Sequence, residues 1–128
     1  MKRKLPRILV VGSRAPFNDL FNALEAAGAH QLLYAAYWGT AKVFLEPPPD
    51  AILLHLPEEK RAADQALAWL EKLTGDIPVI VMSPAANMEG YLACMTRGAF
   101  DYITAYTPLP DVQRILESAI RLKKPVAA

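Results

Sequence analysis

Cysteine is nearly absent from this sequence: Cys94 stands alone among 128 residues. One thiol excludes an internal disulfide framework and fits a reducing, cytoplasmic setting. An excess of either charge is lacking as well, with 14 basic and 13 acidic side chains and a formal net charge of +1. So even a balance gives no drive toward nucleic acid or an anionic membrane surface. No apolar run approaches the ~20 residues that a membrane span takes. The basic start Met1-Lys2-Arg3-Lys4 is not followed by a long apolar stretch and a small-residue cleavage site, and it reads as a solvated end.

Hydrophobic residues make up 53% of the chain and charged ones 21%, the composition of a globular α/β protein. The length suits a single domain with a buried core. Short apolar, β-rich runs occur at Ile8–Val11, Gln31–Ala35, Ala51–Leu54, Val79–Met82 and, more weakly, Asp101–Thr104. Ile8-Leu9-Val10-Val11 and Val79-Ile80-Val81-Met82 have no polar face, as expected of parallel strands covered on both sides. Amphipathic segments alternate with them. Phe17, Leu20, Phe21 and Leu24 follow helical spacing and Gly28 supplies a stop. A short second helix over about 39–45 ends at Pro47-Pro48-Pro49. Ala63, Leu67, Leu70 and Leu73 mark a third helix, closed by Thr74-Gly75-Asp76. Met88, Leu92 and Met95 mark a fourth, closed by Gly98, and Val112, Ile115, Leu116, Ala119 and Ile120 a fifth.

Such alternation predicts a doubly wound α/β fold: five parallel strands in the order 2-1-3-4-5 with five helices and right-handed crossovers. Residues 1–122 form the domain; residues 123–128 have no place in the pattern and read as a tail or the start of a linker.

Four stretches, in order, then carry a resemblance. They are Ile8–Val11, Pro49-Asp50-Ala51-Ile52-Leu53-Leu54, Asp76-Ile77-Pro78-Val79-Ile80-Val81-Met82-Ser83 and Arg97-Gly98-Ala99-Phe100-Asp101-Tyr102-Ile103-Thr104. At these spacings the chain resembles, over nearly its whole length, the receiver domains of two-component response regulators. The resemblance implies the flavodoxin-like (CheY-like) version of the fold. It also implies a site of phosphorelay chemistry at the carboxyl ends of the strands, and there the sequence departs from it. The acidic pair that holds Mg²⁺ in a receiver aligns with Gly12 and Ser13, and the acceptor aspartate with His55. The lysine aligns with Ala105 and the proline after it with Tyr106. Ser83 keeps the hydroxyl position and Tyr102 the aromatic switch position.

Phosphoryl transfer needs charge neutralisation at the transferring oxygens, and Mg²⁺ needs hard oxygen ligands. A glycine, a neutral hydroxyl, an imidazole and an alanine supply neither. The degenerate phosphorylation site is thus Gly12, Ser13, His55, Ser83 and Ala105, with no catalytic residue, no metal and no cofactor expected. His55 reads as a neutral imidazole bonded to Ser13, Ser83 or Thr104; a phosphohistidine would lack both metal and lysine. The other histidine, His30, precedes the second strand and belongs at the opposite edge of the sheet, too far for a shared zinc. Glu58 and Glu59 read as acids that favour the start of the third helix, not as substitute ligands. Cys94 reads as a small hydrophobe.

The leading expectation is a phosphorylation-independent, non-enzymatic signalling module. It would meet a protein partner, or a second copy, through the fourth helix, fifth strand and fifth helix. It would control an effector or transcription domain of the same polypeptide, without touching nucleic acid or membrane itself. The alternative is a small-molecule sensor in which Ser13, His55, Ser83 and Thr104 converge on a neutral polar site. Flavin and cobalamin domains of similar layering fit less well. Gly12-Ser13-Arg14-Ala15-Pro16 is poor in hydroxyls and glycine, and His55 lacks the acid and glycine of a cobalamin motif. After strand five a trans Ala105–Tyr106 bond is expected, with Thr107 as N-cap and Pro108 at the first helical position.

Overall fold

The computed structural model describes residues 5–73 and 76–123. The basic start, the Thr74-Gly75 part of the third helix stop and the tail beyond residue 123 lie outside them. The sheet consists of β1 (Arg7–Val11), β2 (Gln31–Ala35), β3 (Ala51–His55), β4 (Val79–Ser83) and β5 (Asp101–Thr104). Its order is β2-β1-β3-β4-β5, and every neighbouring pair is parallel. Between the strands run α1 (Asn18–Ala27), α2 (Trp38–Ala41), α3 (Lys60–Leu73) and α4 (Met88–Thr96), with α5 (Leu109–Lys123) closing the domain. The five-strand, five-helix reading holds, with strand limits within a residue of those expected.

Because successive strand residues face opposite ways, each strand feeds two cores. Ile8, Val10, Leu53, Ile80, Met82 and Ile103 pack under α1 and α5 with Phe17, Phe21, Leu24, Val112 and Leu116. Leu9, Val11, Ile52, Leu54, Val79 and Val81 pack on the other face with Ala41, Leu67, Leu70 and Cys94. Burial pushes the Cys94 thiol up to about 11, an inert group in the core. Gly28 ends α1 in the left-handed region at φ 69°, its N–H donating to the Glu25 carbonyl.

Three local expectations are corrected. The second helix is one turn of α-helix followed by a 3-10 turn over Lys42–Phe44. In α4 the buried side chain is Cys94, while Met88 and Leu92 of the anticipated stripe face outward at 72% and 54% exposure. The segment is apolar on more than one side, so spacing alone did not identify the inner face. Before α5, Thr107 is not the cap: its Oγ1 accepts from the Thr104 N–H at 2.9 Å. The Pro108 carbonyl accepts from Asp111 and Val112 and starts the helix instead.

Candidate functional site

The carboxyl ends of β1 and β3 meet at Gly12 and His55. Val11 pairs with Leu54, so the next residues of the two strands leave the sheet together. Gly12 takes φ +111°, and a Cβ built there would lie 3.0 Å from the His55 Cβ and 3.1 Å from its carbonyl oxygen. Both the backbone conformation and the close approach therefore require glycine. One residue on, the Ser13 carbonyl lies 2.8 Å from Nδ1 of His55. A carbonyl only accepts, so Nδ1 carries the proton and Nε2 of the neutral ring is left as an acceptor. The edge of Phe17 packs against the imidazole at 4.9 Å between centroids and 82°.

The hydroxyls do not converge as the sensor reading anticipated. Ser13 Oγ donates to the Ala15 carbonyl at 3.2 Å, and Ser83 Oγ to the Ala85 carbonyl at 2.9 Å. Thr104 Oγ1 accepts from the Tyr106 N–H at 3.2 Å. Each serves its own turn, two residues away, as short hydroxyl side chains commonly do. His55 thus reaches the Ser13 backbone and neither Ser83 nor Thr104.

Ala105 is exposed, and its N–H donates to the Ser83 carbonyl at 3.2 Å. The cis bonds among the described residues precede Pro16 and Pro47, so Ala105–Tyr106 is trans, as anticipated. Tyr106 points outward, 83% exposed. Tyr102 is half-buried against α4, its ring perpendicular to that of Tyr91 at 5.8 Å. Arg14, the one cation in the loop from β1 to α1, sits 4.1 Å above the Tyr34 ring. Tyr34 in turn donates to Glu25 at 2.7 Å, and burial with that carboxylate pushes its phenol up to about 12. The pair holds Arg14 over the α1 side of the sheet.

Receivers of this fold use Mg²⁺, and the residues here do not fit it. Gly12 has no ligand atom in its side chain, Ser13 Oγ is engaged with Ala15, and Nδ1 of His55 is committed to Ser13. Among the described residues no three His, Cys, Asp or Glu side chains cluster for a metal. Glu59, at the head of α3, accepts from the N–H groups of Arg61 and Ala62, at 3.2 and 2.7 Å. It is a helix cap, as the dipole reading expected.

Beside His55 opens a cavity of about 450 Å³. It lies on the α3 side, between the loops that follow β1, β2 and β3. Ser13 and His55 line it, as do Tyr37, Trp38 and Glu58; Ser83, Thr104 and Ala105 do not. Its room comes from small residues, Gly12, Ala15, Ala36, Ala62 and Ala66. Sequence reasoning missed Tyr37, Trp38 and this alanine pair. The available signals were an aromatic pair directly after β2 and alanines four apart on one face of α3.

No established family profile matches the chain. In sequence it is 33% identical over 125 residues to the phosphate regulon transcriptional regulatory protein PhoB of Klebsiella pneumoniae. That match takes in 94% of this chain and 54% of PhoB, so the chain spans about half the length of the curated relatives it matches. In structure it superposes on a response regulator receiver domain protein of Clostridium thermocellum with a TM-score of 0.75 at 19% identity, covering 93% of this chain and 97% of the other. A response regulator of Thermotoga maritima gives 0.73 at 23%, covering 89% and 99%.

Proposed function

We propose that this chain, which shares the fold of response regulator receiver domains and is similar to half of PhoB, is a receiver-type signalling module that works without phosphorylation. The single observation that carries this is the junction of β1 with β3. Gly12, at φ +111° and with room for no Cβ (one built there would lie 3.0 Å from the His55 Cβ), aligns with the position of a receiver's acid in this reading. Among the described residues no cluster of three metal-ligating side chains is present, and Arg14, the cation of the loop after β1, is held over Tyr34 on the α1 side.

Output runs through the face of α4, β5 and α5 to a protein partner or a second copy, and so to an effector domain of the same polypeptide. Supporting this are Met88, Leu92 and Tyr106, large apolar side chains left 54–83% exposed on that side. Tyr102, packed on α4, has no phosphate to respond to and holds one position. The module acts by contact rather than catalysis, with the control of transcription left to the effector. No helix among the described residues is long and apolar enough to cross a membrane.

Incubation with acetyl phosphate and Mg²⁺, followed by intact-mass measurement, tests the reading. The mass is expected to stay unchanged. An acid-labile phosphoryl gain that disappears in His55→Ala, or in Asp50→Asn, would overturn it.

A further inference from the structure

The cavity beside His55 is the feature that the phosphorylation-independent reading leaves unused. Its volume of about 450 Å³ falls within the range of small-molecule sites. Its surface is mostly apolar: Val11 and Leu54 at the base, Trp38 and Tyr37 at one side, and prolines from three loops. Tyr37 and Trp38 stand 5.4 Å apart between ring centroids, tilted by 57°, and give a flat partner aromatic surface.

The polar groups set the sign of the partner. His55 lines the cavity; with Nδ1 on the Ser13 carbonyl, its Nε2, an acceptor in that neutral tautomer, has no hydrogen-bond partner among the described residues. Glu58 is the one carboxylate lining the cavity and forms no hydrogen bond or ion pair among the described residues. No lysine or arginine lines it. The N–H groups of Arg61 and Ala62, in the first turn of α3, are capped by Glu59 and are not open to an anion. Two unpaired acceptors, one of them a carboxylate, set among aromatic rings match a planar donor with positive charge.

We propose that this cavity binds a flat aromatic cation that donates N–H, of the arylalkylamine or amidinium class. Bound there, it bridges the loops after β1, β2 and β3. Its role as the signal that replaces phosphate rests on the phosphorylation-independent reading; its binding does not.

The test is a titration followed by amide NMR, with tryptamine and benzamidine as cations, indole as the neutral probe and benzoate as the anion. Saturable shifts are expected at Gly12, Ser13, Trp38 and His55 with the cations, about tenfold weaker affinity for indole, and none for benzoate. Glu58→Gln, at an exposed position, is expected to bring tryptamine down to the level of indole. Ala66→Leu is expected to abolish binding by filling the space. Should that variant not fold, Glu58→Gln decides alone. Equal affinity for benzoate and tryptamine, a cation preference that survives Glu58→Gln, or no saturable shift at millimolar probe overturns the proposal. A phosphoryl gain on the chain refutes phosphorylation independence and the substitute-signal role, while the titration still decides whether the cavity binds.

Discussion

At Gly12 the strand leaves the sheet with φ +111°, and any side chain placed there meets the Cβ and carbonyl of His55. Placing an acid at this position therefore strains the backbone before any metal is offered. Gly12→Asp is expected to lower stability by about 1–3 kcal/mol. Urea unfolding measures this directly, and a loss below about 0.5 kcal/mol would show that the strand end relaxes freely. His55 was identifiable from its sequence position and Ser13 was among its expected partners, but the bond runs to the Ser13 backbone, and a backbone carbonyl leaves no mark in sequence. The same blindness applies to Ser83 and Thr104, whose hydroxyls turn to their own loops. At the far edge of the sheet, His30 is buried and its Nδ1 has no hydrogen-bond partner among the described residues. Burial lowers its pKa, and the negative charge of Glu117 opposes this only in part. The unfolded chain, with an ordinary histidine near 6.5, then binds more protons than the folded one. Stability is expected to begin falling as pH drops below about 6.5, and the loss is complete once the lower folded value is passed. Urea midpoints at pH 8 and pH 5.5 check this, and His30→Leu is expected to flatten that part of the profile. A slope unchanged in the variant would assign the effect to another group.

Among the elements, strands were the most legible. Ile8–Val11 and Val79–Met82 are apolar on both faces, and only a strand covered on two sides suits such short runs. Helices α1 and α5 were equally plain, because their apolar stripes are narrow and their outer faces are polar. In α4 that contrast is missing. Met88, Tyr91 and Leu92 are apolar and outward, while Cys94 is small and inward, so periodicity did not single out the buried side. Two hydroxyl-bearing residues close together gave the start of α5 its ambiguity: Thr107 had the chemistry of a cap, but Thr104 recruits it backward across the turn. The cavity was the least legible, since it depends on what Ala62 and Ala66 fail to fill once α3 is docked. The outward face of α4 yields a prediction of its own. Leu92→Glu is expected to change unfolding stability by no more than about 0.5 kcal/mol, because the side chain is already in water. It is expected to abolish association with a second copy or with the effector, as read by sedimentation of the longest available chain. Unaltered association would move the partner surface elsewhere.

Across the whole molecule the central sheet divides the interior. Ile80 and Val81 are joined by a peptide bond, yet Ile80 packs under α1 and α5 while Val81 packs toward α3 and α4. Both are fully buried, so shortening either removes contacts: Ile80→Val costs about 1 kcal/mol and Val81→Ala about 2 kcal/mol. Neighbouring residues in one core usually interact when mutated together, because they share a cavity or relax jointly. These two share neither. Their double mutant is expected to lose the sum of the single losses to within about 0.5 kcal/mol, the behaviour of sites far apart. A larger coupling in a double-mutant cycle would mean that the sheet transmits packing changes from one side to the other. Without such coupling, the layer that holds the cavity can be repacked around a ligand while the α1–α5 layer keeps its own arrangement.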